Sequence, residues 1–393
     1  MKTTGVLARG IRAPIIKAGD DLIAIIMDSL KLAMENEGFC LRDRDVLGVT
    51  ESVAARAQNN YATTSQIAAH VRMRTGGGHV GVVFPILSRN RFSTLLKGIS
   101  MGVEKITALL KFPADEVGNH LISVEEMDEK GINPNTDTLT EKRFREIFGD
   151  HTKHPYTGID YIMHYREQSV CPIDFIFSND PREILQYTDT VIAADIHSRG
   201  RTRRFLEAAG ARLVVTLDQI LNVSVDGSGF NSRYGLLGSN KATENSVKLF
   251  PENSQPLVEA IQRKVYEMTG ANIEVMIFGD GAYKDPVGQI WELADPVVSP
   301  AYTGGLNGTP NELKMKYLAD NEFMHLSGEQ AREAIIRSIR EKDANLVGSM
   351  LAEGTTPRHL TDLLGSLCDL MGGSGDKGTP IVLVQGYFDN YAT

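Results

Sequence analysis

The sequence predicts a mixed α/β protein with a locally parallel sheet in its interior. Three observations predict it. Helix-like and strand-like segments alternate along the 393 residues, with no fixed-period repeat and no low-complexity tract. Residues 173–222 read as strand, helix and strand at the spacing of a βαβ crossover. The 37 glycines favour many turns and close backbone approaches over a helical bundle.

The elements follow in order. Asp20 or Asp21 can cap a helix whose apolar face is Leu22, Ile25, Ile26, Leu30 and Ala33, and Gly38 closes it because the left-handed position after a helix suits glycine. A strand Val46–Val49 comes next, then a helix or loop over Ser52–Gln58. Residues 115–160 are polar and turn-rich, an excursion from the main fold. In 173–222, Phe175–Phe177, Asp189–Ala194 and Arg212–Thr216 read as strands, with a helix Thr202–Ala209 before Gly210. A helix Pro256–Met268 stops at Gly270 and leads into a strand Ile273–Phe278. A further helix is expected over Glu329–Leu351. Another, capped by Thr356 with Pro357 in its first turn, runs through Met371 to a strand Ile381–Gln385.

Composition bounds the function. At ~150 residues per domain the length allows two to three domains. Charged residues are 23% and hydrophobic ones 42%, as in globular chains. With 41 Lys+Arg against 50 Asp+Glu, the formal charge of −9 argues against a general nucleic-acid binder. Cys40, Cys171 and Cys368 are far apart, which suits free thiols in a reducing cytoplasm rather than a disulfide or zinc framework. Neither a signal peptide nor a membrane-spanning run is expected.

Several clusters could carry chemistry. Asp280 follows an apolar strand between two glycines, with Asp285 five residues on; carboxylates at a strand's C-terminal edge commonly hold Mg²⁺ or Mn²⁺ beside phosphates. Two arginine runs, one with Arg89 and Arg91 and one with Arg199, Arg201, Arg203 and Arg204, suit an anionic substrate. The second precedes a helix, as a sugar-phosphate or nucleotide site would require. The loop Gly372–Thr379 (Gly372, Gly373, Gly375, Asp376) lacks the P-loop order of residues, yet its backbone N–H groups could cradle an anion. His151 and His154 by themselves specify no metal.

Taken in order, these pieces resemble one family, the coenzyme F(420)-0:L-glutamate ligases. Ala13–Leu22 is similar to the family's opening loop and helix, Asp45–Gln58 to its next strand and loop, and Gly235–Asn240 to its Gly-x-Asp-x-Ser-Asn loop. Thr269–Gly281 and Leu363–Gly386 resemble its later strand and its C-terminal helix, glycine loop and strand. The resemblance covers roughly 10–60 and 232–388. It implies an α+β, mixed-sheet ligase fold over 1–115 and 223–393, interrupted by an inserted α/β unit at 116–222, and an intertwined homodimer. It also implies a cytoplasmic, GTP-dependent (or ATP-dependent) amide ligase that joins an anionic small molecule to an amino acid, with Mg²⁺ or Mn²⁺ and K⁺. In that reading Asp280, helped by Asp285, ligates metal. Asp280 and Arg56 are catalytic, Pro14, Ile15, Ile16 and Asn240 line the nucleotide site, and the loop from Gly372 approaches it. The chain departs from the pattern where the family's first metal aspartate falls on Leu237, its lysine on Arg56, an acid on Gln58 and a threonine on Gly281. The alternative reading is a non-ligating homologue that binds an anionic small molecule or acts as a regulatory or assembly subunit.

Overall fold

The computed structural model describes residues 4–149, 153–154, 157–281, 283–284, 291–292, 294–353, 358–372 and 375–393. Asp285, Gly373, His151, Thr356 and Pro357 lie outside the described residues.

Two large sheets organise the protein. The first has five strands in the order Leu7–Ile11, Ile381–Gln385, Val46–Thr50, Glu274–Phe278 and Ala301–Tyr302. Its two central strands, Val46–Thr50 and Glu274–Phe278, run parallel with Thr50 opposite Phe278, while Ile381–Gln385 lies antiparallel to Val46–Thr50. All three are buried along their whole length, as strands covered on both faces must be. The helices Leu22–Glu37 and Gln255–Thr269 cover one face, and Leu360–Met371 covers the other. The first helix matches its sequence signals. The Asp21 carboxylate accepts the Ala24 N–H at 3.0 Å, and Gly38 ends the helix at φ 65°.

The second sheet has six strands, ordered Leu139–Thr140, Ile173–Phe177, Lys105–Leu110, His79–Val83, Thr190–Ala193 and Leu213–Thr216. All but the first are parallel. The predicted crossover from Thr190–Ala193 to Leu213–Thr216 is present, with helix Arg199–Ala208 between. Ile173–Phe177 is not their neighbour, however, because two earlier strands stand between them. The sheet thus draws on residues from 79 to 216, and a boundary at 115/116 would cut through it. The reason is topological: parallel strands need long connections, so chain order does not give sheet order. Residues 124–148 carry two short helices and the edge strand beside Ile173–Phe177.

A three-stranded sheet, Asn240–Thr243, Ser246–Lys248 and Tyr61–Thr63, lies beside the helix Glu51–Ala57. Two further differences are local. The helix expected over 329–351 ends at Glu341, because Asn345 and Ser349 form side-chain-capped turns beyond it. The last helix starts at Leu360.

Candidate functional site

Thr50 and Phe278 end neighbouring parallel strands, so Glu51 and Asp280 leave the same edge of the five-stranded sheet. That edge opens into a cleft of about 930 Å³. Its walls bring together Pro14, Ile15, Ile16, Arg56, Arg91, Asn240, Asp280 and Gly375 from segments far apart in sequence. These are sequence-predicted site residues. Among the lining residues that were not expected are Ser52, Tyr61, Lys241 and Lys248.

Not every expected residue is there. Gly372 sits against the backbone, where an added Cβ would lie 2.5 Å from the Thr379 carbonyl, so its glycine identity is explained by packing. Asp376 and Arg89 do not line the cleft. Arg199 and Arg201 do not line it and are already engaged. Arg199 pairs with Asp218 at 3.0 Å, and the Arg201 guanidinium lies 4.3 Å from the centre of the Phe205 ring. The N-terminus of their helix is filled by the Glu116 carboxylate, which accepts the N–H groups of Ile196, His197 and Ser198 and the Ser198 hydroxyl at 2.9 Å. The anion expected there is a side chain of the protein itself.

At the floor of the cleft lie two charge clusters. In one, the Lys248 ammonium donates to both Glu51 oxygens at 2.8 Å, with both side chains at least nine-tenths buried. Burial pushes the Glu51 carboxyl up to about 7 against the pull of Lys248, and Asp295 adds to the rise. In the other, Arg91 bridges two carboxylates. It donates to Asp295 at 2.7 Å and makes a short bond to Asp280. Asp295 is buried and also accepts the Asp280 N–H at 2.6 Å. Gly279 permits this approach, since a Cβ there would stand 2.3 Å from the Asp295 carboxylate. Burial first, then the neighbouring Asp295, raises Asp280 to about 6, while Arg91 pulls it down. Asp369 accepts the Gly281 N–H at 3.0 Å behind them.

Glu51 and Asp295 were missed for different reasons. Glu51 obeys the strand-end rule that picked out Asp280, and applying that rule to Val46–Thr50 would have found it. Asp295 comes three residues after the two-residue strand Trp291–Glu292, which is too short to be read from the sequence. Gln58 has no place in the chemistry, because it exchanges two hydrogen bonds with the Glu252 backbone at 2.7 and 2.9 Å. Leu237 is buried in the apolar core.

The raised Glu51 pKa has a stability consequence. Its carboxyl titrates near 4.5 when unfolded and about 7 when folded. Between those values the native state holds the extra proton, so stability falls as pH rises through this window. The Glu51→Gln variant should flatten that slope, removing a fall on the order of 3 kcal/mol between pH 4.5 and 7. Urea unfolding across the window measures it, and an unchanged slope would refute the assignment.

Parallel strands ending over a cleft with exposed cations at its walls and buried carboxylates at its floor make a frame suited to a polyanionic small molecule. The family model described as F420-0:Gamma-glutamyl ligase matches residues 10–386, and the chain belongs to that family, whose function is of the ligase type. The match runs through 61–231 as well, a stretch that the motif resemblance leaves out. No curated protein matches the sequence.

Proposed function

We propose that the cleft binds a nucleoside triphosphate and that the protein is a nucleotide-dependent amide ligase acting through an acyl phosphate. The observation that carries this reading is the convergence of Pro14–Ile16, Arg56, Asn240, Lys241, Lys248 and Asp280 on one cavity of nucleotide size. Arg56 and Lys241, on the cleft walls, supply positive charge for the phosphates. An oxygen of the substrate carboxylate attacks the γ-phosphorus and the nucleoside diphosphate leaves. The amine of the second substrate then attacks the acyl carbon, phosphate departs with that oxygen, and the amine loses a proton. Asp280, with 40% of its side chain exposed, is the carboxylate placed to take that proton.

Among the described residues the donor set does not fit a divalent ion. Asp280 and Asp295 are a carboxylate pair of the kind that could share a metal, but both are held by Arg91, and Leu237 offers no donor. Among the described residues no group of three or more His, Cys, Asp or Glu is arranged to hold one. Among those residues, too, no helix is long and apolar enough to cross a membrane. The homodimer, the γ-glutamyl product and a K⁺ requirement belong to the same proposal.

A saturating nucleotide should stabilise the native state by about 2.7 kcal/mol at one hundred times its Kd. Thermal denaturation with GTP, with ATP and with neither measures this, and the larger shift identifies the nucleotide. No shift with either would remove the reading. A shift without amide formation from carboxylate and amino acid would favour the non-ligating homologue, which the buried Leu237 supports.

A further inference from the structure

We propose that the Arg91 guanidinium is the built-in cation of the Asp280–Asp295 pair, standing where a divalent metal would otherwise bind, so that this pair takes up no Mg²⁺ or Mn²⁺. Arg91 donates from separate nitrogens to the two carboxylates, at 2.7 Å to Asp295 and through the short bond to Asp280. Its side chain is only 12% exposed. A guanidinium cannot shed its charge in a protein, so the pair is permanently neutralised in part. A metal between the same oxygens would face that fixed positive charge. Displacing Arg91 would in turn bury an unpaired guanidinium against the apolar wall formed by Phe92, Leu236 and Leu237.

The arginine is also held in place. It lies on the connection between strand His79–Val83 and helix Phe92–Gly102. Leu87 N–H donates to Asp115 at 2.7 Å and Ser88 N–H to the Tyr165 hydroxyl at 2.9 Å. Arg91 N–H donates to the Ser88 hydroxyl at 3.1 Å, and the Asn90 carbonyl accepts the Lys241 N–H at 2.6 Å. This connection leaves the six-stranded sheet, whereas Asp280 follows a strand of the five-stranded one. The six-stranded sheet therefore contributes the cation that completes the site at the edge of the other.

The test needs no turnover, so its outcome is separate from that of the ligase reading. The full-length, nucleotide-free protein is titrated with Mn²⁺ alone, and free Mn²⁺ is read by electron paramagnetic resonance. Circular dichroism confirms that each variant is folded. Wild type should retain no Mn²⁺ at millimolar concentration. Arg91→Ala should gain one equivalent, which adding Asp295→Asn should abolish, while Arg91→Lys should stay without it. Two results would overturn the proposal: one equivalent bound by wild type and lost in Asp280→Asn, or a folded Arg91→Ala that gains none. If Arg91→Ala does not fold, the comparison of wild type with Asp280→Asn decides.

Discussion

Replacing Lys248 by methionine is expected to destabilise the protein by about 3 kcal/mol near pH 8 and by only about 1 kcal/mol near pH 6. Lys248 is the cation that bonds both oxygens of Glu51, and the two side chains are 10% and 7% exposed. Removing one member of such a pair leaves a charge in a medium that solvates it poorly, which is why the loss exceeds the worth of an exposed ion pair. Glu51 has an escape, because it titrates at about 7 even with the ammonium beside it. Without Lys248 its pKa must rise further. At the lower pH the carboxyl is then neutral in the native state and the variant loses little beyond two hydrogen bonds. At the higher pH, folding has to retain a proton that the unfolded chain gives up. The double variant Glu51→Gln with Lys248→Met should recover most of the loss, since it removes the charge that was stranded. Urea unfolding of the three proteins at both pH values checks this. An equal loss at both pH values would show that Lys248 acts through packing rather than charge.

The same pair shows what could be read from the sequence and what could not. Local signals were legible. The Asp21 cap, the Gly38 and Gly270 stops and the strand Ile381–Gln385 all stand where turn chemistry and periodicity put them. The parallel crossover around Arg199–Ala208 was legible too, because it is a local supersecondary unit. The sheet order was not, since it depends on pairings between strands separated by long connections, as when His79–Val83 lies beside Thr190–Ala193. Pro14, Asn240 and Asp280, expected from the family resemblance or from an aspartate at the end of a strand, line the cleft. Arg199 and Arg201 do not line the cleft, and a run of arginines looks the same in sequence whether its partners are ligands or, as here, Asp218 and Phe205. Glu51, Lys248 and Asp295 were passed over because their significance comes from burial. A charged residue in a chain with 50 acids and 41 bases carries no mark of being under cover.

Asp295→Ala is the second change of large expected effect, at about 3 kcal/mol of lost stability. Asp295 is 1% exposed and serves two partners, the Arg91 guanidinium at 2.7 Å and the Asp280 N–H at 2.6 Å. Alanine leaves both donors without that acceptor and leaves Arg91 paired with Asp280 alone. Asparagine separates the two roles. Its side-chain oxygen can still accept one of these hydrogen bonds, but the negative charge is gone. If charge pairing with Arg91 dominates, Asp295→Asn should lose nearly as much as alanine. If the hydrogen bond to Asp280 dominates, asparagine should recover about half of the loss, because a single neutral hydrogen bond is worth roughly 1 kcal/mol whereas removing one of the two carboxylates that offset a buried guanidinium costs more. Charge should win, since Arg91 is itself buried and both Asp295 and Asp280 raise its pKa against the cost of that burial. Equilibrium unfolding of the two variants distinguishes these cases. The Arg91→Met, Asp295→Leu double variant adds a third comparison: with both charges replaced by apolar groups it should be more stable than Asp295→Ala. A double variant less stable than Asp295→Ala would mean that the site is held by shape and hydrogen bonds rather than by its charges.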